Sequence, residues 1–170
     1  MQNRKLYYIV PVALLCVAMI PTQAPAQNSP SVPKKPSAGN TTNGLTVILV
    51  GAQAAGHFAK GTQFWTPTAN DIAQLETGLQ AIAKKTPVPN VRPGQPAQNI
   101  ATTYHRQYIG ILQGGKKKIY VNAFRASKEA EFPHWREKFV MVFDGGSGFY
   151  HTIYDVESHH FEAVRFNGYG

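Results

Sequence analysis

Cysteine is all but missing from this chain. Cys16 is the only one among 170 residues. It lies inside an apolar run near the N-terminus, so the remaining chain has no thiol. That excludes a disulfide framework, a thiol nucleophile and a cysteine-ligated zinc site. Acidic side chains are also scarce: 9 Asp and Glu stand against 17 Lys and Arg, for a formal net charge of +8. The positive residues are scattered, apart from Lys116-Lys117-Lys118. A nucleic-acid reader concentrates its cations on one element with aromatics between them. The pattern therefore predicts a basic soluble surface and no nucleic-acid partner.

Complete catalytic and cofactor signatures are lacking too. Gly51 to Gly56 has the glycine spacing of a phosphate-binding loop, but His57 and Phe58 stand where Lys and a hydroxyl residue are required. Gly146-Ser147-Gly148 resembles part of a nucleophile elbow. Phe149 occupies its last glycine position, and strand-like residues flank it where a strand-to-helix turn is needed. The six histidines form neither H-x-H nor H-E-x-x-H. His159 and His160 are adjacent and would point to opposite faces of a strand. No metal and no cofactor is expected.

Long hydrophobic runs are limited to Leu6 to Ile20, which follows Arg4 and Lys5 and precedes Ala24-Pro25-Ala26. These are the charged, apolar and cleavage regions of a signal peptide, with a mature chain starting at Gln27. A membrane span needs about 20 apolar residues, so no stable insertion is expected after cleavage. Bulky Leu15 before Cys16 argues against a lipoprotein anchor. The expected layout is a signal peptide over 1–26, a disordered linker over 27–43 and one α+β domain over 44–170. The expected location is periplasmic or secreted. Asn40-Thr41-Thr42 in the linker fits a glycosylation acceptor.

What the chain does contain is periodic. Leu45 to Val50 reads as a short β-branched strand between glycines. Ile72, Leu75, Leu79 and Ile82 mark one face of a helix running from Thr66 to Lys85. Thr68-x-x-Asp71 forms a capping box at its start. Thr86 to Asn99 is a proline-rich loop. From Tyr104 onward, short apolar strands alternate with tight turns. Gly114-Gly115 is a two-residue hairpin turn that pairs Tyr108 with Val121, Ile109 with Tyr120 and Gly110 with Ile119. A second hairpin is predicted around Gly145 to Gly148, pairing Phe143 with Tyr150, Met141 with Thr152 and Phe139 with Tyr154. A third pairs Tyr154 with Phe161 and Arg165 with Tyr150. The expected fold is one main helix packed on a strongly curved antiparallel meander, with Phe139, Phe143 and Tyr154 under the helix.

One helix covers one face of such a sheet. The other face, carrying Ile109, Ile111, Tyr120 and Phe124 with His105, Gln107 and Asn122, then needs a cover, from the chain's own proline-rich segments, a second subunit or a ligand. An uncovered apolar face marks an interaction surface. The candidate ligand-binding set is Ile109, Ile111, Tyr120, Phe124, Val140, His151 and Arg165, with a protein partner or a homodimer as the other occupants. His151 with Asp144 or Asp155 is the one constellation that could serve a small exported enzyme. Self-association as a structural envelope protein is a third reading.

DGGSGFYHTIYD followed by HHFEAVRFNG resembles the C-terminal pattern of a group of small exported bacterial proteins of unknown function. FWTPTANDIAQLE shares this likeness more weakly. The resemblance implies export and an α+β domain, and it implies no activity. The order of strand, helix, long loop and antiparallel strands is similar to cystatin and NTF2-like architectures. Gln107-Tyr108-Ile109-Gly110 lacks the spacing of the cystatin Q-x-V-x-G loop, which argues against protease inhibition.

Overall fold

The structure is a computed structural model that describes residues 44–91, 94 and 97–169. The signal peptide and linker expected over 1–26 and 27–43 lie outside the described residues.

The order is β1 (Thr46–Ile48), α1 (Gly51–Ala54), β2 (Gln63–Trp65), α2 (Ala69–Ala83), β3 (Tyr104–Gln113), β4 (Lys116–Arg125), β5 (Phe149–Asp155), β6 (His160–Phe161) and β7 (Arg165–Phe166). Short 3-10 turns cover Ala55–His57, Ala126–Glu131 and Gly146–Gly148. Helix α2 begins at its capping box. The Asp71 amide donates to Thr68 Oγ1 at 3.2 Å, and Thr68 N donates to Asp71 Oδ2 at 2.7 Å. Two amides that the helix leaves open are thereby closed. Ile72, Leu75 and Leu79 are fully buried. Each contributes roughly 2 kcal/mol by leaving water.

The seven strands form one sheet in the order β1-β3-β4-β5-β6. β2 shares the free edge of β3, and β7 that of β5. The expected meander is corrected here. β1 runs parallel to β3, with Val47 beside Gln107, so the sheet is mixed. It is not the strongly curved antiparallel meander of a cystatin or NTF2-like layout. β2 follows along the same edge in the opposite sense, with Trp65 beside Gly110. Gly110 is required there, because a Cβ would collide with the Trp65 carbonyl oxygen. The β3–β4 hairpin has the expected register, including Tyr108 with Val121 and Ile109 with Tyr120. Tyr154 does pair with Phe161. Arg165 pairs with His151, one residue from its expected partner.

The hairpin expected around Gly145 to Gly148 does not form. β5 pairs with β4, placing Tyr154 beside Ile119 and Thr152 beside Val121. Residues 139–145 join no strand ladder. Tyr154 packs in the cluster with α2, but Phe139 packs on the opposite side and Phe143 is 88% exposed.

Two cores follow. Under α2 lie Tyr104, Tyr108, Ile119, Val121, Tyr150 and Tyr154. Arg106 is buried among them. Its Nε donates to Tyr108 Oη, one terminal nitrogen donates to Tyr104 O, and the other donates to Glu76 at 3.1 Å. Tyr108 also donates to Glu76. A buried guanidinium is tolerated because its charge is paired and its donors are used. The contact ties α2 to β3 through Glu76. The second core lies on the far face. Val47, Leu49, Ile109, Ile111 and Phe124 pack with Trp135, Val140 and Phe149.

Candidate functional site

Of the three covers considered for the second face, the chain itself supplies most of it, so Ile109, Ile111, Phe124 and Val140 present no open binding face. The segment after β4 returns across it, and three side-chain amides hold that segment. Gln107 and Asn122 are cross-strand partners. Gln107 Nε2 donates to Trp135 O and Lys138 O, and its Oε1 accepts from Val140 N at 2.9 Å and from Asn122 Nδ2 at 2.9 Å. Asn122 Nδ2 also donates to Val140 O at 2.7 Å. Asn167 Nδ2 donates to Val142 O at 2.6 Å and Asp144 O at 3.1 Å. These amides do for the segment what a neighbouring strand does elsewhere.

Four of the seven candidate residues are consumed by this closure. Ile109, Ile111, Phe124 and Val140 are buried in the second core. Tyr120 and His151 are brought together beside it, with rings stacked 5.9 Å apart and 16° from parallel. Arg165 lies next to His151 across the β5–β7 pairing and is exposed.

Tyr120 and His151 line a cleft of about 290 Å³ between the sheet and the covering segment. Opposite them stand His57, Phe58, Phe139 and Phe143. His57 stacks on Phe139 at 4.7 Å. Phe58 meets Tyr120 edge-on at 5.2 Å. Asn122 and Asn167 supply amide groups to the same wall. Burial, aided by the nearby Arg165 charge, holds the His151 imidazole below its ordinary range. At neutral pH it is uncharged, with one donor and one acceptor nitrogen. Burial raises the Tyr120 hydroxyl, which stays protonated. Sequence reasoning did not find His57, Phe58, Phe139 or Asn167 as cleft residues. For Phe139 the alternation in Lys138 to Asp144 was the available signal, and it pointed to a hairpin; His57, Phe58 and Asn167 lie outside that stretch.

The constellation of His151 with Asp144 or Asp155 does not assemble. Asp155 Oδ1 accepts from the amides of Glu157 and Ser158 and closes the β5–β6 turn. Asp144 is exposed, and its carbonyl binds Asn167. Neither carboxylate bonds His151. Ser147 is buried, with Arg125 donating to its Oγ at 2.7 Å and Tyr104 to its carbonyl. Its amide donates to Tyr169 Oη at 3.2 Å. Among the described residues no group of three or more His, Cys, Asp or Glu could hold a metal ion, and no helix is long and apolar enough to cross a membrane.

Compared with protein families, curated proteins and solved structures, the chain matches none of them.

Proposed function

We propose that the protein is an exported, non-catalytic binding domain that takes a small planar aromatic molecule in the cleft beside Tyr120 and His151. The observation that carries this reading is the lining. Aromatic and imidazole rings dominate it, and a few convergent polar groups join them, which is the usual make-up of a small-molecule site. The volume of about 290 Å³ suits a ligand of one or two rings. Ring faces and edges favour offset or edge-on aromatic partners. The neutral imidazole of His151 and the Tyr120 hydroxyl then select ligands bearing one polar substituent.

The test is an NMR titration of the full chain with phenol, indole and benzoate, read at the His57, Tyr120 and His151 ring signals. Shifts confined to these rings, saturating at millimolar probe and lost in Tyr120→Ala, are expected. If none of the three probes moves these signals at millimolar concentration, the reading is wrong.

A further inference from the structure

Residues 138–144 read Lys-Phe-Val-Met-Val-Phe-Asp. About Met141 this stretch is symmetric in its apolar residues and opposite in its end charges. Its backbone divides by parity. Lys138 O, Val140 N, Val140 O, Val142 O and Asp144 O are all bound by the Gln107, Asn122 and Asn167 side chains or, for Val140 N, donate to one of them. All five groups belong to even-numbered residues. In an extended chain, successive residues turn their N–H and C=O groups to opposite edges. Phe139 and Met141, between the bends at Lys138 and Phe143, therefore face the other edge. Among the described residues no hydrogen bond engages their backbone groups. Beside that edge Phe143 is 88% exposed and Met141 is 42% exposed.

Between bends at Lys138 and Phe143, this short segment has one edge satisfied and the other open. An open apolar edge invites another strand. We propose that it is filled by the same segment of a second copy, paired antiparallel about a two-fold axis at Met141. The end charges favour a second copy over a foreign strand. The two-fold brings Lys138 to the Asp144 end of the second copy and Asp144 to its Lys138 end. Phe139 lies opposite Phe143, and Val140 opposite Val142. Lys138 and Asp144 are both exposed and make no ion pair among the described residues. The chain bends at Phe143, so the backbone ladder centres on Met141, and the Phe143 ring closes over the second copy's Phe139. A parallel pairing would oppose like charges at both ends and is disfavoured.

The inference does not depend on the ligand proposed for the cleft, and its test leaves the cleft rings unchanged. Sedimentation equilibrium of the full chain is measured over a concentration series for four proteins: wild type, Lys138→Asp, Asp144→Lys, and the double exchange. A wild-type dimer is expected. Each single reversal brings like charges together at both ends of the dimer and weakens it roughly tenfold or more. The double exchange restores it. Circular dichroism confirms that these surface variants remain folded. A wild type that stays monomeric at about 100 μM, a micromolar affinity being the least a specific dimer needs, overturns the proposal. So does a dimer indifferent to the single reversals, or a double exchange that fails to recover.

Discussion

His105 is enclosed between Trp135 and Phe124, with ring centroids at 4.4 and 5.2 Å. Its Nε2 lies 3.4 Å from Glu129 Oε2. Glu129 is itself held by Trp135 Nε1 at 3.0 Å and by Arg136 at 3.1 Å. Burial pushes the His105 imidazole below its ordinary value. Glu129 opposes this and Arg136 adds to it, and the net direction is down. His151 moves the same way. The unfolded chain thus binds protons that the folded chain refuses, and stability rises with pH wherever that holds. Stability is full above the ordinary imidazole value of about 6.5. It falls as pH drops through that value and levels off once the folded imidazoles are also protonated. The urea midpoint is expected to fall between pH 7 and pH 5, and His105→Phe should flatten that slope. A midpoint unchanged across that range would contradict the assignment. The sequence placed His105 with Gln107 and Asn122 on one face, because the Gly114-Gly115 turn sets that register. It could not show that Trp135 would close over the ring.

Among the elements, α2 was legible in its period, capping box and the stripe Ile72, Leu75 and Leu79, all local features, though it spans Ala69–Ala83 where Thr66 to Lys85 was expected and Ile82 is only half-buried. The segment 138–144 was not. Its alternation is that of a strand, and a strand was expected to pair with β5. The edge of β5 toward β4 is already used, and its other edge carries β6 and β7. The segment finds its partners in side-chain amides instead, chiefly Gln107. Replacing Gln107 by Leu strands the Val140 amide, the Lys138 and Trp135 carbonyls and one donor of Asn122. Each buried group left unpaired costs about 1–3 kcal/mol, so a loss of roughly 3 kcal/mol or more is expected in urea unfolding. Amide exchange should rise across 138–142 while α2 keeps its protection. Equal loosening of α2 would show that the covering segment is not held independently.

For the whole molecule, the export reading rests on Arg4-Lys5, the apolar run Leu6 to Ile20 and Ala24-Pro25-Ala26. Expressed with its own N-terminus in a Gram-negative bacterium, the chain is expected in the periplasmic fraction with Gln27 as its first residue by Edman sequencing. Recovery from the cytoplasm beginning at Met1 would refute export. The domain itself shows where sequence reading stops. Spacing alone determined the capped helix α2, the β3–β4 register and the split of β3 and β4 into two faces, because these follow from 3.6- and 2-residue repeats and a turn of fixed geometry. Tertiary structure decided which edges meet. β1 joins β3 across nearly sixty residues and runs parallel to it. β5 chose β4 over its nearest neighbour, and the chain's own segment, held by amides, sealed the second face. Such pairings are won between alternatives that differ little in loop-closure cost. Packing and hydrogen-bond satisfaction over the entire domain settle them, and no short stretch of residues carries that information.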